Sequence, residues 1–262
     1  PVVSRRAGGV SIGINLNPNN ACNWRCIYCQ VPELKRGAPP AIDLAQLERE
    51  LTTMLSDILT GDFMTRCVPE PMRRLNDVAI SGNGEPTSAA EFGQVIERVG
   101  ELLKRFKVLG KIKLILITNG SLIHRPGVLE AITKMASMNG EVWFKFDRAT
   151  PAGMAAVNDT QADVEKHFQR LGEVCQRCPT WLQTCVFTKD GNPPDASEIS
   201  AYLDVLSQVR AADWPLAGVL LYGLARTPTQ PEAASLGAAP TAWLEAFAQK
   251  IRARGFTTRL FA

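Results

Sequence analysis

The sequence contains no stretch approaching the ~20 consecutive apolar residues of a membrane span. Its first residues, Pro1 to Arg6, lack the apolar core of a signal peptide. No membrane partner is expected, and the cytoplasm is the default compartment. A patch of one charge is missing too: 29 Lys and Arg against 26 Asp and Glu leave a net +3, with no basic run or tail. That balance neither demands nor excludes a nucleic-acid partner. No linker divides the 262 residues, so one domain over 1–262 is favoured over two small ones, with length enough to bury a substantial core.

What is present is concentrated. Cys22-Asn23-Trp24-Arg25-Cys26-Ile27-Tyr28-Cys29 packs three of the seven cysteines into eight residues. Thiolates this close suit iron–sulfur or zinc ligation, in a spacing that is neither the ferredoxin run nor a paired zinc finger. Three thiolates leave one metal position open, as a catalytic centre requires. The alternatives are a zinc knuckle borrowing a fourth ligand and a CxxC disulfide with a bystander cysteine. An odd set of cysteines with a metal-like cluster fits a reducing compartment better than a secreted disulfide framework.

The remaining chain alternates strand and helix. Val10 to Leu16 has strand period and runs into the turn Asn17-Pro18-Asn19-Asn20, placing the loop 17–30 at the C-terminal end of a strand, where α/β folds gather their chemistry. Asp43 is expected to cap a helix carrying Leu44, Leu47, Leu51, Met54, Leu55 and Ile58, with Gly61 ending it. A strand from Asp77 to Ile80 leads into the loop 81–87, Ser81-Gly82-Asn83-Gly84-Glu85-Pro86-Thr87. Glycines on either side of Asn83 permit positive φ and close backbone approach to a ligand, Pro86 stiffens the exit, and Glu85 offers an anionic acceptor at the mouth, suited to an ammonium group.

Helical spacing marks Glu91 to Phe106, Val128 to Ser137, Asp163 to Cys178 and Ala196 to Val209. Apolar runs mark strands at Lys113 to Thr118, Trp181 to Phe187 and Leu216 to Tyr222. Thr118 and Asn119 fall at the same rim as the two loops. The alternation of Glu141 to Asp147 puts Trp143, Lys145 and Asp147 on one face; if that face looks inward, the two charges must be matched with each other or with a ligand. Gln183 and Arg226 are weaker candidates at further strand exits. Cys175, Cys178 and Cys185 raise an auxiliary metal site, but their positions favour small buried hydrophobes, and Cys67 is a still weaker candidate. Thr241 is expected to cap a last helix before a short strand at Thr257 to Phe261, together the segment 240–262. About six strand–helix repeats argue for one parallel sheet with right-handed crossovers.

With Tyr28 just before its last cysteine, the CxxxCxxC stretch resembles the cluster motif of the radical S-adenosylmethionine (radical SAM) superfamily. The loop 81–87 resembles that superfamily's Gly-Gly-Glu-Pro loop, with Asn83 in place of one glycine. Through Ile12 to Gln30, Ser81 to Thr87, Ile117 to Gly120 and Lys145-Phe146-Asp147, the chain is most similar to small, mostly uncharacterised members near the wyosine-forming tRNA enzymes. The resemblance implies an α/β fold, a partial (β/α)6 TIM-like barrel of parallel strands with outer helices. It implies a [4Fe–4S] cluster on Cys22, Cys26 and Cys29 with SAM on the fourth iron, and reductive cleavage of SAM to a 5′-deoxyadenosyl radical that takes hydrogen from a substrate. Tyr28 would seat the adenine, and Gly82, Asn83, Gly84 and Glu85 the methionine amino end. Thr118, Asn119, Lys145 and Asp147 are candidates for ribose, carboxylate or substrate. The implied partners are SAM and an electron donor such as flavodoxin or ferredoxin. The substrate reading is a tRNA base or nucleotide; its rivals are a glycyl-radical-enzyme activase and a small-molecule or peptide-modifying enzyme, and, from another class, a non-catalytic iron–sulfur protein. Neither a cysteine-rich extension nor a cobalamin-type domain is expected beside the core.

Overall fold

The structure is a computed structural model that describes residues 1–4 and 8–261; Arg5, Arg6 and Ala262 of the segments named above lie outside the described residues. In chain order come β1 (Val2–Ser4), β2 (Gly9–Asn15), β3 (Ala21–Cys22), β4 (Lys35–Arg36), α1 (Leu44–Leu59), α2 (Phe63–Cys67), β5 (Leu75–Ser81), α3 (Phe92–Arg105), β6 (Lys113–Thr118), α4 (Pro126–Ala136) and β7 (Gly140–Lys145). There follow α5 (Pro151–Asn158), α6 (Val164–Cys175), β8 (Thr180–Cys185), β9 (Phe187–Lys189), α7 (Ala196–Ala211), β10 (Leu216–Tyr222), β11 (Leu236–Ala238), α8 (Thr241–Arg252) and β12 (Thr258–Phe261). The main sheet runs β1-β2-β5-β6-β7-β8-β10-β12. From β2 to β10 every neighbour is parallel, β12 extends the sheet parallel to β10, and β1 closes the other edge antiparallel to β2. The sheet curls into a half barrel, because right-handed strand twist accumulates across parallel strands whose crossover helices all pack outside.

Strand period decides what lies on each face. Val78, Ile80, Leu114, Leu116, Val142 and Phe144 are fully buried against the helix side, with Val95, Ile96 and Val99 of α3 and Ile132 and Met135 of α4 in the same core. Each such side chain contributes about 1.5–3 kcal/mol on burial. The alternate positions face the concavity. At its lower end Ser11 donates to Asp77 at 2.5 Å and Lys113 pairs with Glu141 at 2.9 Å. At the upper, C-terminal end stand Ser81, Ile117, Lys145, Gln183 and Cys185, all lining one cavity. Helix caps fit the sequence in part: Asp43, Asp163 and Asp195 each accept from backbone N–H groups of the first turn.

Several elements differ from the expectation. The run Trp181 to Phe187 divides: β8 stops at Cys185, where the chain leaves the barrel rim, and Phe187–Lys189 pairs antiparallel with β11. α6 stops at Cys175, three residues before Cys178. Thr241 is the first residue of α8, and Pro240 occupies the cap position without a side-chain bond. α5 has no counterpart in the reading above; Thr150 accepts from Gly153 N to cap it, and Pro151 supplies a preset φ at its first position. No helix among the described residues is long and apolar enough to cross a membrane.

Candidate functional site

The cavity at the C-terminal rim has a volume of about 610 Å³. Cys22, Cys26, Cys29 and Tyr28 line it from the loop 17–30, Gly82, Asn83, Gly84 and Glu85 from the loop 81–87, and Thr118, Asn119 and Lys145 from the next two strand ends. The weaker candidates Gln183 and Arg226 reach it as well. Asp147 is the one predicted contact that does not, since its carboxylate lies behind Tyr28 and is committed to protein donors.

The two loops brace one another through asparagines. Asn15 Oδ1 accepts from Asn17 N at 2.9 Å and from Asn83 N at 3.0 Å, while Asn83 Nδ2 donates to Asn20 Oδ1 at 2.7 Å. Gly82, at φ 135°, lies so close to the Asn15 side chain that a Cβ would collide with it, and a Cβ on Gly84 would run into Ala21 O. The close approach that demands glycine is therefore to the neighbouring loop.

Glu85 is the joint between rim and barrel. It is 2% exposed, its Oε1 accepts from Thr87 N (3.1 Å), Thr87 Oγ1 (2.5 Å) and Thr118 Oγ1 (2.6 Å), and its Oε2 accepts from Asn119 N (2.6 Å). Burial pushes its carboxyl above the usual range, against the pull of these hydrogen bonds. An open acceptor at the mouth was the expectation; the side chain turns inward because Thr87, Thr118 and Asn119 present four donors there. Asn119 carries the contact onward, donating from Nδ2 to Asn23 Oδ1 at 2.9 Å, next to Cys22.

Lys145 and Asp147 face inward and are matched through a phenol. Tyr28 OH donates to Asp147 Oδ2 at 2.5 Å and accepts from Lys145 Nζ at 2.8 Å. Burial acts against the lysine's charge, but Tyr222, Asp147 and Cys26 outweigh it and hold the ammonium above its ordinary value. Burial pushes the Cys22 thiol up to about 11 and Cys26 up to about 12, with Lys145 acting toward the thiolate in both. Buried thiols of this kind ionise when a metal cation takes the proton's place. Among the described residues no three His, Cys, Asp or Glu side chains converge on a single ion. A cubane cluster does not require that convergence, because it takes its three thiolates on three separate irons. The donor set also includes a buried acceptor with nothing to accept: Gln183 is 5% exposed and its Oε1 has no partner among the described residues.

Two features of the site were missed from the sequence. Asn158, last residue of α5, donates from Nδ2 to Asp147 Oδ2 at 2.7 Å and to Cys26 Sγ at 3.2 Å; a Thr-Pro helix start at 150 and 151 is what could have pointed to its helix. The loop after β10 fastens the cysteine loop: Thr229 N and Gln230 Nε2 donate to Cys29 O (2.9 Å) and Val31 O (3.0 Å), and Arg25 binds Glu232 with both terminal nitrogens at 2.8–2.9 Å. Cys175, Cys178 and Cys185 are 3%, 2% and 1% exposed. Burial pushes Cys175 and Cys178 up to about 12. Cys67 is exposed.

Beneath the cavity, His167 is packed among Trp24, Phe144 and Phe146. Its Nε2 lies 3.0 Å from Lys145 O, an acceptor only, so Nε2 carries the hydrogen and Nδ1 is left without a partner. Burial lowers its pKa to about 4. The folded chain thus binds fewer protons than the unfolded one, and the stability of the neutral ring, full above about pH 6.5, is lost as pH falls toward about 4. Between about pH 7 and about pH 5 this single group is expected to cost about 2 kcal/mol of unfolding free energy. Denaturant melts of His167→Phe at both pH values should show that part of the loss gone.

No protein-family model matches the chain. A UPF0026 protein of Helicobacter pylori is 28% identical over 137 residues, covering 50% of this chain and 37% of that one. A UPF0026 protein of Synechocystis sp. is 26% identical over 219 residues, 81% of this chain and 71% of that one. The chain therefore spans just over a third, 37%, of the Helicobacter relative's length. Among solved structures it is similar to Streptococcus suis SuiB bound to S-adenosylmethionine (TM-score 0.61, 13% identical, 97% of this chain and 47% of that one). It is also similar to TYW1 with a lysine–pyruvate adduct bound (0.59, 17%, 92% and 73%) and to a radical SAM methyltransferase from Sphaerobacter thermophilus (0.60, 14%, 97% and 67%). At these identities the likeness is one of fold, and the fold is the half barrel of radical SAM enzymes.

Proposed function

We propose that this chain is a radical SAM enzyme in which Cys22, Cys26 and Cys29 hold a [4Fe–4S] cluster and the rim formed by 81–87, Thr118, Asn119 and Lys145 holds SAM. The observation that carries this reading is the meeting of the CxxxCxxC loop and the Gly-Asn-Gly-Glu-Pro loop in one cavity at the C-terminal end of a parallel half barrel. Held there by Cys22, Cys26 and Cys29, such a cluster would supply the one electron for reductive cleavage of SAM, the source of the radical chemistry that would act on a substrate C–H bond.

The chain's own residues bind, orient and enclose. Gly82 to Gly84 present backbone close to the cysteine loop, where the methionine amino end would lie. Glu85 holds that backbone in place, and its charge favours an ammonium nearby. Lys145, kept cationic, suits a carboxylate or ribose oxygen, and Gln183 Oε1 offers a buried acceptor to a ligand N–H or O–H. Tyr28, fixed by Asp147 and Lys145, presents a ring for adenine to pack on. The latch from Thr229 to Glu232 is fastened to the loop and would shield a radical formed there from hydrogen-atom donors in solution. Arg226 is exposed at the mouth and makes no ion pair among the described residues, which suits a phosphate-bearing substrate such as a nucleotide or tRNA base. Electrons would come from a flavodoxin- or ferredoxin-like donor.

Anaerobic reconstitution with iron and sulfide, followed by SAM and dithionite, should yield 5′-deoxyadenosine, and SAM should perturb the EPR signal of the reduced cluster. A reconstituted cluster that neither senses SAM nor cleaves it would falsify the enzyme reading in favour of a non-catalytic iron–sulfur protein. Salt-sensitive binding of tRNA, with Kd on the order of micromolar or tighter, is the expected substrate signature. Its absence would turn the search to a partner protein, a peptide or a small molecule.

A further inference from the structure

We infer that Asn158 is a positioning residue that sets the electron affinity of the cluster through its hydrogen bond to Cys26, an inference that rests on the reading of the three cysteines given above. Asn158 is 1% exposed, and its Nδ2 lies 3.2 Å from Cys26 Sγ and 2.7 Å from Asp147 Oδ2. A carboxylate and a thiolate are acceptors only, so both must face the NH2 end of the amide, and that fixes its orientation. Asp147 is held from its other sides by Tyr28 OH at 2.5 Å and Cys185 N at 2.9 Å, so it anchors the amide. The main chain repeats the tie: Asn158 O accepts from Arg25 N at 3.3 Å and Val157 O from Ile27 N at 2.9 Å, one on each side of Cys26. The amide is therefore tied both by its side chain and by its main chain to the loop that carries the sulfur.

Among the described residues the other two cysteines are met by backbone N–H groups of their own loop, Cys22 by that of Trp24 and Cys29 by that of Val31 at 3.5 Å. The three ligands are thus unequal: Cys26 takes a side-chain amide from α5, at 3.2 Å. One-electron reduction adds one negative charge to the cluster and its thiolates, with no bond broken and no proton taken up. A hydrogen bond to a thiolate sulfur strengthens as that charge grows, so it favours the reduced form and raises the midpoint potential.

The test uses wild type, Asn158→Leu and Asn158→Asp, each reconstituted anaerobically and titrated with dithionite and mediators while the EPR signal of the reduced cluster is followed. The Leu variant keeps the branched shape and removes the donor; its reduced-to-oxidised ratio at a fixed solution potential is expected to fall about tenfold, equivalent to about 59 mV for a one-electron couple. The Asp variant keeps the shape and also removes the NH2; with Asp147 2.7 Å away the two carboxyls hold one proton between them, so its midpoint too should lie below wild type. Iron content should match wild type wherever the midpoint moves. Unmoved midpoints at equal iron content would overturn the inference. Loss of iron or of the fold in both variants would also overturn it, leaving Asn158 a purely structural role. A wild-type chain that takes up no iron would instead overturn the cluster assignment itself, a result distinct from an unmoved midpoint.

Discussion

Cys26→Ala is expected to leave the reconstituted chain without its iron and without any 5′-deoxyadenosine above background, measured by iron content and by chromatography of the SAM reaction. Three thiolates are the minimum for a cubane with one open iron, and Cys26 is the central one, tied by Asn158 and by the main chain on both sides. Cys185 lines the same cavity, but it ends β8 with its own N–H bound to Asp147, and its backbone cannot shift to replace a lost ligand. Cys175→Ala is the matching control: the residue belongs to the apolar core, so it should cost about 1 kcal/mol of stability and keep full iron content. Iron retained in Cys26→Ala, or lost in Cys175→Ala, would reverse the assignment of which cysteines carry the cluster.

The second large effect is expected at Glu85. Replacing it by Ala strands Thr87 N, Thr87 Oγ1, Thr118 Oγ1 and Asn119 N together in a buried site. Unpaired buried donors cost about 1–3 kcal/mol each, partly recovered where the hydroxyls find new acceptors, so a loss of about 3–5 kcal/mol in denaturant unfolding is expected. The same change frees the loop 81–87 from β6, and SAM binding should weaken by at least tenfold, read by equilibrium binding to the reconstituted protein. Glu85→Gln keeps one acceptor oxygen but turns an NH2 toward one of the four donors, and should fall between the two. Unchanged stability in Glu85→Ala would mean that the four hydrogen bonds do not hold the rim.

Much of this was readable in the chain because local signals and tertiary outcome agree. β6 reproduces the apolar run Lys113 to Thr118 residue for residue, and Asp43 caps α1 as its position before Leu44 suggests. The two loops carry their chemistry in their composition. What was not readable depends on contacts between distant segments. Tyr28 and Asp147 are 119 positions apart, and nothing near either announces that one hydroxyl will reconcile Lys145 with Asp147. α5 has eight residues, mostly Ala, Gly and other small side chains with a weak apolar stripe, so periodicity could not detect it, and Asn158 was hidden with it. Glu85 was legible as a carboxylate but not in its direction, since that is set by Thr118 and Asn119 on the next strand. The split of Trp181 to Phe187 came from β11, a partner about fifty residues onward that turns Phe187 away from the barrel.

The latch on the cysteine loop has a consequence for the order of biosynthesis. Arg25 and Glu232 are 207 positions apart, and Thr229 reaches Cys29 and Val31 across 200 and 198. On the ribosome the three thiols therefore emerge early, while the segment that fastens their loop is still untranslated. Contacts of such long sequence separation also form late in folding. The cysteines spend that interval reachable by oxidants and by competing metals, and by whatever machinery delivers iron and sulfide. On the proposed assignment of the cysteines, loading would be easiest before Thr229 to Glu232 close over the loop, and the finished chain would then retain a cluster that it admits only slowly.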